Sequence, residues 1–204
     1  MELTVTKIEE YTKSKYKIYL NDEFAFVLYK GELRRYGIEE GMVFTDELRG
    51  EIIGTLLVKR AKLRAMHLLE KIDRTEADVR RKLKENLYPK EVIDEAITYV
   101  KNYHYIDDER YAENYIRYKQ ASSSRNEIKR KLMEKGISKE VIATKLEETN
   151  DSDTELVKKL ILKRCSEPAN LNYQEKNKLF AYLYRKGFSS EAIETGFREI
   201  IEQD

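Results

Sequence analysis

Few side chains in this 204-residue chain stand at spacings that support covalent chemistry. Its two histidines, His67 and His104, lie far apart, and its one cysteine, Cys165, is distant from both. No His/Cys set with metal-ligand spacing can be assembled from them. No Gly-x4-Gly-Lys-Ser/Thr loop is available to cradle phosphates, and no Gly-x-Gly-x-x-Gly follows a strand-like run. Lys163 and Arg164 beside Cys165 would favour a thiolate, but with no base motif in view an incidental cysteine is expected. The run Asp107-Asp108-Glu109 offers adjacent carboxylates to a divalent cation. The same run is also an ordinary helix start, with Asp107 as N-cap and two acids against the positive end of the helix dipole. The expectation is a protein that is not an enzyme and carries neither cofactor nor metal.

The stronger signal is charge. Lys plus Arg (39) nearly cancels Asp plus Glu (38), yet the cations are unevenly placed. Residues 1–58 hold 8 basic and 11 acidic side chains, and residues 59–90 hold 11 basic and 5 acidic. Residues 117–131 hold Arg117, Lys119, Arg125, Lys129, Arg130 and Lys131 against Glu127 alone. If Ile128 and Leu132 face inward, Arg125, Lys129 and Arg130 spread over the outer surface of that helix. Arg80, Arg81 and Lys82 form the matching group in the earlier stretch. Such strips can neutralise DNA phosphates or meet an acidic protein surface. They can equally be solvated faces laced with i,i+4 pairs such as Glu127–Lys131. Of the fifteen tyrosines, Tyr111, Tyr115 and Tyr88 sit at core spacing, whereas Tyr118, between Arg117 and Lys119, is the exposed candidate for stacking on a base.

The elements that position these residues are mostly helices. Gly and Pro total 10 residues and 38% of the chain is charged, which argues for helices joined by short connections and against a β-sandwich. The first part is different. Lys15 to Leu20 alternates polar and apolar residues, Asn21-Asp22-Glu23 reads as a turn, and Phe24 to Leu28 returns as a second strand. Leu3, Val5 and Ile8 suit a third, and a short helix from Tyr29 to Tyr36 ends at Gly37. Thr45 is an N-cap. Gly50 and Gly54 suggest a break or bend before a helix at about 59–71. This β-containing module, residues 1–58, is too small to stand comfortably alone.

Beyond it the chain repeats. Val79-x3-Leu83-x4-Tyr88-x3-Val92-Ile93-x3-Ile97 recurs as Ile128-x3-Leu132-x4-Ile137-x3-Val141-Ile142-x3-Leu146. It recurs again as Leu179-x3-Leu183-x4-Phe188-x3-Ala192-Ile193-x3-Phe197. Two copies place Lys-Gly at the corner (Lys135-Gly136, Lys186-Gly187), and the first has Asn86-Leu87. Each copy reads as a three-helix unit. In the middle one a helix runs from Asp107 to about Gln120. Ser122–Ser124 form a loop and N-cap, Gly136 ends the second helix, Ile137 tucks back, and Ser138 caps the third. Pro89 opens the corresponding helix of the first copy. The fold expected is mainly α: tandem three-helix repeats over 59–106, 107–150 and 151–204 forming an elongated array, after the small β-module.

The run Tyr105-Ile106-Asp107-Asp108-Glu109-Arg110-Tyr111-Ala112, followed by Ile128-x3-Leu132-x2-Lys135-Gly136-Ile137, resembles the bacterial RecX proteins. Arg74-Thr75-Glu76-x2-Val79-x3-Leu83 matches that family's Arg-Ser/Thr-Glu helix start. The resemblance covers about residues 58–202, and the β-module looks like the amino-terminal extension of members from Gram-positive bacteria. Ser122-Ser123-Ser124 departs from the glycine often found before the second helix. What the resemblance implies is a regulator that binds along the RecA–DNA filament, slows ATP hydrolysis and strand exchange, and so modulates recombinational repair and the SOS response.

Two other readings stay open: a sequence-tolerant protein that competes for single-stranded DNA without touching a recombinase, and an unrelated helical adaptor. Near-zero net charge weighs mildly against the first of these. The opening Met1-Glu2-Leu3-Thr4-Val5 lacks a basic stretch before an apolar core, and no window reaches 18 apolar residues. A cytoplasmic monomer with no membrane contact is expected.

Overall fold

The computed structural model describes residues 2–149 and 152–202. The chain forms two compact units, Met1–Asp107 and Asp108–Asp204.

The first unit opens with an antiparallel meander, β1 (Val5–Thr12), β2 (Lys15–Leu20) and β3 (Glu23–Tyr29), in the order β1-β2-β3. The β2–β3 turn is tighter than its residue types suggest. Asn21 and Asp22 alone make it, both with positive φ (47° and 68°), and Glu23 already pairs with Leu20. Two such residues match the right-handed twist of the strands they join. A short helix, α1 (Lys30–Tyr36), ends at Gly37, whose φ of 59° is the left-handed cap. Thr45 caps α2 (Asp46–Arg49) by accepting from the Leu48 N–H at 3.3 Å.

The expected break at Gly50 and Gly54 is not there. Residues Gly50–Leu57 form π-helical turns that run directly into α3 (Val58–Leu69). The Thr55 hydroxyl donates to the Gly50 carbonyl five residues back at 3.3 Å, the spacing of a widened helix. Both glycines keep helical geometry with open space where a Cβ would stand, so neither ends the helix.

Helices α4 (Glu76–Glu85) and α5 (Lys90–Asn102) complete the unit. Its core crosses residue 58 without interruption: Val5, Ile18, Phe26 and Leu28 of the sheet join Leu57, Ala61, Leu83 and Ile97 in one buried cluster. Sharing that core answers the small size of the β-module.

The second unit carries α6 (Asp108–Lys119), α7 (Arg125–Glu134) and α8 (Lys139–Glu147), then α9 (Asp153–Arg164), α10 (Tyr173–Arg185) and α11 (Ser190–Ile201). Each trio has its own apolar cluster, one around Ile116, Ile128, Leu132 and Ile142, the other around Val157, Ile161, Leu183 and Phe197. The corners follow the repeat. After α7, Gly136 takes φ 80° and donates to Met133 O at 2.9 Å, while Ile137 N donates to Leu132 O at 3.1 Å and buries its side chain. After α10, Gly187 and Phe188 do the same against Tyr184 and Leu183. After α4 the left-handed place falls to Leu87, with φ 63°, while Asn86 keeps negative φ and bonds back to Lys82 O. Pro89 sits one place before the first turn of α5, as its N-cap. Among the described residues no helix is long and apolar enough to cross a membrane.

Candidate nucleic-acid interface

The basic groups on α4 and α7 are built the same way. Buried Thr75 caps α4, accepting from Asp78 N at 3.1 Å, and Ser124 caps α7, accepting from Glu127 N at 3.2 Å. Val79 and Leu83, or Ile128 and Leu132, are buried, and the opposite face carries an Arg-Lys pair three and four residues before a glutamate. On α4, Arg81 reaches Glu85 at 3.0 Å and Lys82 reaches it at 2.9 Å. On α7, Arg130 and Lys131 both reach Glu134, the lysine at 3.1 Å. The hydrogen bond from Lys82, with the charges of Lys82 and Arg81, holds the Glu85 carboxyl below its ordinary range. Lys131 and Arg130 act likewise on Glu134. Glu134, not Glu127, is thus the partner of Lys131.

Arg130 and Lys131 share one carboxylate, so that pair keeps positive charge, whereas Arg81 also meets Asp78 at 2.8 Å and the surplus on α4 comes from Lys84. Exposed i,i+3 and i,i+4 pairs contribute only a few tenths of a kcal/mol, so a partner's phosphate or carboxylate displaces the glutamate at little cost. Lys129 is exposed and makes no ion pair among the described residues, and Lys84 stands equally open on α4. Lys84 lies outside the expected site, although its neighbours Arg81 and Lys82 in the same basic run point to it.

Two of the singled-out arginines are occupied differently. Arg80 meets Glu76 at 2.7 Å and Asp94 of α5 at 2.5 Å, and Lys101 of α5 meets the same Glu76 at 2.7 Å. Burial works to raise the Glu76 carboxyl, but the hydrogen bonds from Lys101 and Arg80 outweigh it and hold it low. Arg80 therefore clamps α4 to α5. Arg125 corrects an expectation: it does not spread over the outer surface. It is the first residue of α7, and its guanidinium turns to the Leu146 carbonyl in the last turn of α8. Its backbone N–H donates to Asp153 of α9 at 3.0 Å. A helical wheel places Arg125 outside because it contains no information about a carbonyl on another helix.

On α6, Arg117 pairs with Glu113 at 2.6 Å. Tyr118 is 77% exposed, with Lys119 Nζ 4.8 Å from its ring centre. Tyr111 and Tyr115 stack against the core instead. The third copy has Ala181 and Tyr182 where the others have Arg-Lys. There Arg164 Cζ lies 3.7 Å from the Tyr182 ring centre and Lys186 Nζ 5.5 Å. Burial opposes it, yet the Arg164 hydrogen bond and the two positive charges bring the Tyr182 hydroxyl below its ordinary range. Among the described residues no group of three or more His, Cys, Asp or Glu is placed to hold a metal ion.

Comparison with known proteins places this architecture. Three family models match in tandem: the RecX first three-helix domain over residues 61–99, the second over 107–146 and the third over 151–195. The chain is 30% identical to the regulatory protein RecX of Clostridium acetobutylicum, covering 100% of this chain and 99% of the relative. It is 32% identical to that of Caldanaerobacter subterraneus, over 94% of this chain and 97% of the relative. A crystal structure of regulatory protein RecX superposes with a TM-score of 0.63 at 29% identity, covering 94% and 97% of the two chains. RecX from Lactobacillus salivarius gives 0.63 at 26% identity over 70% of this chain and 96% of the other. With three RecX domains in order along a predominantly helical chain, the protein belongs to the RecX family of regulatory proteins.

Proposed function

We propose that the protein binds RecA–DNA filaments and inhibits RecA ATP hydrolysis and strand exchange, and that it performs no catalysis of its own. Through that inhibition it modulates recombinational DNA repair and the SOS response, working as a cytoplasmic monomer. The observation that carries this reading is the recurrence of one device, an Arg-Lys pair on a shared glutamate, in two successive RecX domains. Repeated weakly held cations suit a partner that presents phosphates or carboxylates at regular intervals, as a nucleoprotein filament does. Arg81, Lys82, Lys129, Arg130 and Lys131 are the contacts proposed, together with Arg117 and Lys119 of α6; Arg80 and Arg125 serve by holding the helices.

A second reading has one specific observation in its favour. Tyr118 with Lys119 beside it is an exposed ring next to a cation, the arrangement used to stack and neutralise single-stranded DNA. The two readings separate in one experiment. The protein is titrated into preformed RecA filaments on single-stranded DNA while ATP hydrolysis is followed, and bare-DNA binding is measured in the same salt. A fall in hydrolysis at substoichiometric protein, with little bare-DNA binding, supports filament recognition. Inhibition that tracks saturation of the DNA supports simple competition.

A further inference from the structure

A second cluster of cations lies in the first unit, away from both strips. Arg60 and Arg64 stand one turn apart on α3, on the same face. With Lys15 of β2, Tyr29 at the end of β3, and Leu87 and Tyr88 of the α4–α5 corner, they line a pocket of about 290 Å³. Its electrostatics are unbalanced. Arg60 is answered by Glu32 at 3.4 Å and donates to Val27 O at 3.2 Å. Lys15 rests over the Tyr29 ring, 5.3 Å from its centre, without an ion pair among the described residues. Arg64 is half-buried and has neither hydrogen bond nor ion pair among the described residues. The Nε atoms of both arginines are buried with no acceptor among the described residues.

A desolvated guanidinium donor left unpaired is costly, and three cations sharing one carboxylate add mutual repulsion. Arg60 contributes to folding through Glu32, Val27 O and the Tyr29 ring, 4.8 Å from its Cζ, but folding alone gives no reason to keep Arg64 beside it. The wall of the pocket is costly too: Leu87, one of its lining residues, holds the left-handed conformation that glycine takes at both other corners.

We propose that this pocket is a binding site for a phosphoryl group, held by Arg64, Arg60 and Lys15. The guanidinium fork matches phosphate oxygens, and the two positive charges that Glu32 leaves unanswered match a phosphate dianion. The inference goes beyond the recombinase reading and does not rest on it. The phosphate can belong to a nucleic-acid strand or to a free small anion.

The test uses the full chain and calorimetric titration with inorganic phosphate, a 5′-phosphorylated trinucleotide, the same trinucleotide unphosphorylated, and acetate at matched ionic strength. The expected result is binding of the phosphate ligands in preference to acetate, weakened about tenfold or more by Arg64→Met and by Lys15→Gln. Preference for the phosphorylated trinucleotide identifies a strand end as the source, equal binding of both trinucleotides a backbone phosphate, and binding of inorganic phosphate alone a free anion. Without ligand, Arg64→Met melts at or above the temperature of the parent, because it removes an unpaired buried donor. Lys15→Gln lies on the sheet and leaves the helical core intact, so it tests binding even if the first variant folds poorly. Three results each overturn the proposal: no phosphate binding up to about 10 mM, acetate binding equal to phosphate, or binding untouched by both substitutions.

Discussion

The Ser124 hydroxyl holds two parts of the second unit at once. It accepts from Glu127 N at 3.2 Å to cap α7 and donates to Lys186 O at 2.9 Å, at the corner between α10 and α11. A Cβ on Gly187 would stand 2.7 Å from that oxygen, and Asn126 Nδ2 donates to the Gly187 carbonyl at 3.0 Å. The corner glycine of one repeat is thus also the seat for the helix cap of the repeat before it.

Gly187→Ala is therefore expected to lose about 1–3 kcal/mol in urea unfolding, from the left-handed φ of 87° and from the clash. In a Ser124→Ala background the clash partner is gone, and the same substitution should cost only the backbone penalty, about 1 kcal/mol. Equal costs in both backgrounds would mean that the contact carries no coupling.

Gly196 in α11 reverses an ordinary rule. Alanine in place of glycine inside a helix usually stabilises by about 0.5–1 kcal/mol. Here a Cβ would lie 2.6 Å from Val157 Cγ1 on α9, so Gly196→Ala should lower the unfolding midpoint. A higher midpoint would show that α9 and α11 yield without cost.

The three corners make a matched experiment. Gly136→Leu should destabilise by about 1–2 kcal/mol, since it forces leucine into the left-handed region. Leu87→Gly should change stability by less than about 1 kcal/mol, relief of that strain being offset by greater freedom of the unfolded chain. A large loss on Leu87→Gly would assign the leucine a packing role that outweighs its backbone cost.

Glu76 joins Arg80 and Lys101, and its carboxyl is held low in the folded chain. A depressed carboxyl contributes stability that is present above the unfolded-chain value and is lost as pH falls through the folded value. Glu76→Gln should accordingly lower the melting temperature at neutral pH, with the gap to the parent closing as the pH falls into the carboxylate range. A gap independent of pH would refute the charge-based clamp.

Much of this structure is legible in the sequence because its signals are local. In their capping and corner roles Ser124, Ser138 and Gly136 meet groups within a few residues of themselves, so they identify helix ends without tertiary information, although the bond from Ser124 to Lys186 O is not legible that way. The six-step apolar pattern likewise needs only helical periodicity. What the sequence hides depends on distant partners. Arg125 is drawn inward by the Leu146 carbonyl, and Arg80 is claimed by Asp94. Gly50 and Gly54 read as breakers, yet the turns there widen and continue. The pocket at Arg60 and Arg64 leaves only an i,i+4 arginine spacing as its trace, because Lys15 and Tyr88 reach it from other elements.

The most direct test of the regulatory role is to reverse the charge of the open strip and repeat the filament assay. Lys129→Glu with Arg130→Glu changes two exposed side chains whose loss should leave helicity unchanged, as circular dichroism will verify. If α7 meets the filament, the double variant should no longer inhibit RecA ATP hydrolysis at concentrations where the parent protein does. Undiminished inhibition by the correctly folded variant would contradict the role assigned to these strips.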